Sequence, residues 1–67
     1  MTIEIILNDT PHSIEVDNLA EALEALGYRD AVIATAVNRR FVQASARCTT
    51  RLLDGDEIEV VAPMQGG

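Results

Sequence analysis

Few side chains in this sequence are equipped for chemistry, and those few stand apart. There is one histidine, His12, and one cysteine, Cys48. His12 follows the turn-type run Asn8-Asp9-Thr10-Pro11, where an exposed, turn-flanking histidine is expected rather than a general base. A thiol turns nucleophilic when nearby positive charge lowers its pKa. Arg47 and Arg51 are the neighbours able to supply that charge, but a small buried or neutral cysteine is the preferred reading. A single cysteine closes no internal disulfide, and with one histidine it makes no zinc pattern. Asp54, Asp56, Glu57 and Glu59 gather carboxylates, yet a calcium loop needs more oxygen ligands at tighter spacing. They read as a turn and a solvated strand face, and Arg39-Arg40 as an exposed turn pair. Gly27 and Gly55 are isolated, so no phosphate loop exists and the chain is not expected to bind ATP unaided. All five bases are arginine. The missing lysine removes the usual Schiff-base residue.

The remaining reactive group is the terminal carboxylate. Pro63, Met64, Gln65, Gly66 and Gly67 have no pattern that packs, and Pro63 ends the strand pattern before it. Two terminal glycines maximise backbone freedom. Four extended residues after Pro63 reach about 13 Å. A tip without side chains can thread a narrow channel in another protein. The carboxylate, with an ordinary pKa near ~3.5, is ionised at neutral pH and inert toward nucleophiles. Joined to AMP by a partner enzyme, it becomes an acyl adenylate with a good leaving group. Attack by sulfide or persulfide then leaves a thiocarboxylate, whose sulfur can pass to a small molecule. ATP and the sulfur donor belong to the partner enzymes. No cofactor or metal is expected on this chain, and no catalytic residue.

The elements must present that tail. The chain has 67 residues, enough for one domain, residues 1–67, with 63–67 as a flexible tail. A domain this small has a thin stability margin. Aromatic residues are limited to Tyr28 and Phe41, so the core must come from Ile, Val, Leu and Ala. Residues 2–7 and 12–16 alternate as the strands of a hairpin. Asn18 and Glu21 are spaced as a capping box before a helix whose Leu19, Leu23 and Leu26 share one face and which Gly27 stops. Residues 31–37 read as a strand covered on both faces, 38–40 as a turn, and Phe41-Val42 as a short return strand. Residues 44–51 hold about one helical turn, and 57–61 form the last strand. The order is β-β-α-β-β-β.

The net charge is −6. An acidic chain is a poor ligand for nucleic acid and a better one for a basic protein surface. No apolar run reaches the ~20 residues that span a bilayer, and the N-terminus has no signal-peptide layout. A cytoplasmic protein, monomeric when free, with no nucleic-acid or membrane partner, is expected. The sheet face near the last strand, together with the tail, is the expected docking surface.

Taken together, Leu7-Asn8-Asp9, the helix from Leu19 to Gly27, Ala36-Val37-Asn38, Leu53-Asp54-Gly55-Asp56-Glu57-Ile58 and the terminal Gly66-Gly67 resemble the ThiS family of sulfur carriers of thiamine biosynthesis. The resemblance spans nearly the whole chain. It implies an α+β, ubiquitin-like β-grasp fold: a mixed sheet crossed by a helix, with the first and last strands parallel and adjacent. It implies that Gly67 is adenylated by a ThiF-type enzyme and becomes 1-thioglycine with sulfur from a donating enzyme. The carrier then docks on thiazole synthase (ThiG) as a cosubstrate rather than an enzyme, with Pro63, Met64, Gln65 and Gly66 as the partner-binding tail. Met64 stands where many relatives have a β-branched residue. The competing readings are a MoaD-like small subunit of molybdopterin synthase, another β-grasp sulfur carrier, a ubiquitin-like modifier, and a plain interaction module.

Overall fold

Two hairpins and one helix account for most of the architecture. The computed structural model describes residues 2–28 and 32–62. Strand β1 (Thr2–Leu7) pairs antiparallel with β2 (Thr10–Glu15). Strand β3 (Ala34–Val37) pairs antiparallel with β4 (Arg40–Val42). Both connections are two-residue turns with positive φ at both central positions: Asn8 at 46° and Asp9 at 69°, Asn38 at 51° and Arg39 at 69°. That is the signature of the type I′ turn, whose twist matches that of the strands it joins. Both turns are therefore tighter than the sequence suggests. Thr10 and Pro11 belong to β2, and Arg40 to β4. Pro11 is tolerated because β2 is an edge strand, where a missing N–H breaks no inner ladder.

Strand β5 (Glu57–Val61) lies between the hairpins, giving the order β2-β1-β5-β3-β4. It runs parallel to β1, with Ile6 opposite Glu57 and Leu7 opposite Ile58. It runs antiparallel to β3, from Ala34 opposite Val61 to Val37 opposite Ile58. The expected mixed β-grasp sheet, with adjacent parallel first and last strands, is thus present. The strand expected over 31–37 is shorter: Ala31 lies outside the described residues, and Val32 and Ile33 precede β3. The reason is a lack of partners, because β5 and β4 supply none beyond Ala34 and Thr35. Val32 is 74% exposed rather than covered.

Helix α1 (Leu19–Ala25) begins at Asn18, whose side chain accepts from Glu21 N–H at 2.9 Å. The Glu21 carboxylate accepts from Asp17 N–H at 2.8 Å, one residue beyond the usual capping-box target. Leu19 N–H, otherwise an orphan of the first turn, donates to Thr50 C=O at 2.9 Å. The helix closes with Tyr28 N–H on Leu23 C=O and Gly27 N–H on Glu24 C=O. This is a Schellman closure, with Gly27 supplying the required positive φ of 92°. Asn18→Ala is expected to cost about 1 kcal/mol, and so to lower the melting temperature by about 4–8 °C. Thermal denaturation followed by circular dichroism checks this.

The core is aliphatic, as expected: Ile5, Leu7, Leu19, Ala22, Leu23, Val37, Leu52, Ile58 and Val60 are buried together. Leu26, the third residue of the helix stripe, packs partly buried against it. The polar stretch after β4 forms a 3-10 helix (Ala44–Thr49) with no buried residue. The following segment ties back to the helix start, Leu52 N–H donating to Asp17 C=O at 3.1 Å.

Candidate functional site

The expected reacting residue, Gly67, and the tail residues Pro63, Met64, Gln65 and Gly66 lie outside the described residues. The described structure ends at Ala62, one place after β5. What it defines is the root of the tail and the face beside it.

Two asparagines grip β5, one near each end. At its start, Asn38 Oδ1 accepts from Glu57 N–H at 3.0 Å and Nδ2 donates to Asp56 Oδ1 at 3.0 Å. Asn38 N–H donates to Glu57 C=O at 2.7 Å. At its end, Asn8 Oδ1 accepts from Val60 N–H at 2.9 Å and Nδ2 donates to Val60 C=O at 3.1 Å. Each asparagine sits first in a type I′ turn, where asparagine accepts positive φ more readily than most residues with a side chain. Sequence reasoning quoted both residues but gave neither a role. Asparagine opening a two-residue hairpin turn was the available signal, but its partners stand far away along the chain.

The acidic cluster does structural work, as the sequence suggested. Asp54 Oδ1 accepts from Glu4 N–H at 2.7 Å, and Asp56 Oδ2 from Leu53 N–H at 2.8 Å. Gly55, at φ 90°, donates its N–H to Glu4 C=O at 2.7 Å. Among the described residues, no three His, Cys, Asp or Glu side chains group so as to hold a metal ion. No helix among them is long and apolar enough to cross a membrane.

Two minor expectations shift. His12 is half-buried rather than exposed, because it lies opposite core residue Ile5. Cys48 is exposed on the 3-10 helix. The adjacent Arg47 points its charge elsewhere: Nε donates to Thr35 Oγ1 at 3.1 Å and Nη2 to Ile33 C=O at 2.7 Å. These bonds latch the 3-10 helix to the start of β3. Thr35, 2% exposed, completes the latch by donating Oγ1–H to Val42 C=O at 2.9 Å.

The sheet face away from the helix carries the exposed apolar surface. Cross-strand partners share a face, so Phe41, Ala36 and Glu59 form one row across β4, β3 and β5. Ala34 and Val61 form the next row. Phe41 is 72% and Val61 59% exposed. The two alanines between them keep the middle of the face low. Glu57, opposite Ile6, adds charge on the same face. A polar depression lined by Asn8, Asp9, Arg39, Glu57 and Glu59 continues it toward the hairpin turns.

A small mixed sheet carrying one helix, with its last strand at the centre, defines a β-grasp protein. Comparison with known proteins narrows this. The ThiS family model matches residues 5–67. The "Sulfur carrier protein ThiS" of Thermus thermophilus is 38% identical over 61 residues, covering 91% of this chain and 95% of that one. The crystal structure of the thiamine biosynthesis protein ThiS from Geobacter metallireducens superposes with a TM-score of 0.82 at 26% identity, covering 97% of this chain and all of that one. The chain belongs to the ThiS family.

Proposed function

We propose that this chain is a sulfur carrier of thiamine biosynthesis, a protein cosubstrate acted on by partner enzymes. The observation that carries the reading is the family match, which runs from within β1 through Gly66-Gly67. In this reading the Gly67 carboxylate attacks the α-phosphorus of ATP on a ThiF-type enzyme, and pyrophosphate leaves. A persulfide on a donating enzyme attacks the acyl carbon and displaces AMP, and a thiol then cleaves the resulting acyl disulfide, leaving the thiocarboxylate and a disulfide. Thiazole synthase (ThiG) then takes the sulfur. Pro63, Met64, Gln65 and Gly66 span the distance between the folded body and the reacting carbon. This chain supplies the carboxylate and its delivery; the partner holds ATP.

The face bearing Phe41 and Val61 is the surface we assign to the activating enzyme. It adjoins β5, which leads into the tail, so docking there would set the tail's starting point. Glu57 and Glu59 on the same face, within a chain of net charge −6, favour an apolar pocket with a basic rim. Phe41→Asp is expected to raise the KM for the carrier about tenfold or more, the effect of losing a central aromatic anchor. The melting temperature should hold, because Phe41 contributes little to the core. An unchanged KM would remove this face from the docking surface.

The whole reading is tested by intact-mass spectrometry. The chain is incubated with a ThiF-type enzyme, ATP and a sulfur donor. A mass gain equal to one oxygen replaced by sulfur supports the carrier function. No gain with an enzyme active on its own carrier overturns it.

A further inference from the structure

Strand β5 is supported unequally on its two edges as it approaches the tail. On one edge β3 accompanies it to Val61, opposite Ala34. On the other, β1 pairs only at Ile6–Glu57 and Leu7–Ile58, because the chain then turns away through Asn8 and Asp9. The backbone ladder on that edge has Asp56 C=O accepting from Ile6 N–H, and Ile58 C=O accepting from Asn8 N–H, both at 3.0 Å. The next rung belongs to Val60, one step past the end of β1. The Asn8 carboxamide fills it, accepting from Val60 N–H and donating to Val60 C=O. A carboxamide carries the same donor and acceptor as a peptide unit. Asn8 therefore extends β1 by one rung without extending the strand.

We infer that Asn8 is a positioning residue for the carrier reaction: its grip on Val60 holds the end of β5, the strand that precedes the reacting terminus in sequence. The inference rests on the carrier reading given above. Strand ends open first, and an end held on one edge alone swings more freely than one held on both. A looser end of β5 widens the range of starting points from which a partner must capture the reacting carboxylate, and small misplacements cost rate steeply. Asn8 touches no reacting atom, so its effect falls on the placement of the carboxylate rather than on docking.

The structure also supplies a control. Asn38 occupies the matching turn position and grips the opposite end of β5, away from the tail. Asn8→Gly and Asn38→Gly each delete a carboxamide while keeping a residue that readily adopts positive φ. The experiment uses the full-length chain, well below its melting temperature, with a ThiF-type enzyme, ATP and a sulfur donor. It measures kcat, the KM for the carrier, and amide hydrogen exchange at Val60. In N8G, exchange at Val60 should rise about ten- to a hundredfold, the scale of two lost hydrogen bonds. Its kcat should fall about tenfold with little change in KM, as expected for a misplaced reacting group. N38G should keep the parental kcat.

A parental kcat in N8G, or an equal loss in N38G, overturns the inference. So does unchanged exchange at Val60. If N8G does not fold, Asn8→Asp decides by kcat and KM alone, since it keeps the acceptor for Val60 N–H but sets an oxygen against Val60 C=O. A parent chain that is not a substrate overturns the carrier reading, and this inference with it. An active parent with a fully active N8G overturns the inference alone.

Discussion

Deletion of Gly67 is expected to abolish thiocarboxylate formation while leaving the melting temperature unchanged. The deletion does not remove a carboxylate; it transfers one to Gly66. What changes is the tail's length, by about 3.3 Å. Misplacing a reacting atom by as little as ~1 Å can cost about a hundredfold in rate, so the shortened tail should show no sulfur gain on the timescale of the full chain. Among the described residues, every buried hydrophobic one lies between Ile5 and Val60, so the core is expected not to register the loss. Intact-mass spectrometry and thermal denaturation of the two chains side by side check both halves. A truncated chain that acquires sulfur as fast as the parent would show that the length of the tail does not set the reaction. A truncated chain that melts early would show that the tail belongs to the folded body.

Ile58→Ala is expected to be the most damaging single substitution for the fold. Ile58 is 1% exposed at the middle of the central strand, with Leu7 beside it on β1 and Val37 on β3. Truncating such a residue costs about 2–5 kcal/mol, the lost transfer energy plus the cavity left behind. At ~0.05–0.15 kcal/mol per residue, a domain this short has a total stability of about the same size. The melting temperature should fall by about 10 °C or more, at about 4–8 °C per kcal/mol. Ile58→Val, which removes one methyl group, should cost only about 0.5–1.5 kcal/mol. Urea denaturation of the pair checks the ratio. A loss below that of the valine variant would mean that the space around Ile58 collapses fully.

Local signals made much of the fold legible. The Asn18–Glu21 spacing and Gly27 bounded the helix because capping and closure involve neighbours in sequence. The alternation in Glu57–Val61 placed Ile58 and Val60 on one face and Glu57 and Glu59 on the other, as observed. Alternation shows which residues share a face, not which face is covered. Ile5, Val37 and Val60 proved buried and Phe41 exposed only once the helix was placed. The residues before Ala34 illustrate the opposite limit: strand-forming side chains made no strand where no partner ran beside them.

The site was legible in a different sense. The Gly66-Gly67 reading rests on composition and order alone, and both residues lie outside the described structure. The two asparagines that grip β5 gave no such signal, because Asn8 meets Val60 and Asn38 meets Glu57 only after the sheet has assembled. Asp54 and Asp56 read from the sequence as a turn rather than a ligand cluster, but that their oxygens are committed to Glu4, Leu53 and Asn38 is visible only in the fold.

The central placement of β5 bears on how the chain is made. A ribosome completes β1 with β2, then the helix, then β3 with β4, before the strand that joins the two hairpins exists. Neither hairpin alone is stable in water, and they meet only through β5. Pairing Ile6 with Glu57 closes a loop of nearly the whole chain, so the cooperative step falls at the end of synthesis. A product cut short before β5 would lack the joining strand and the glycine tail together. Truncation in the body would therefore yield a chain for degradation rather than a folded one.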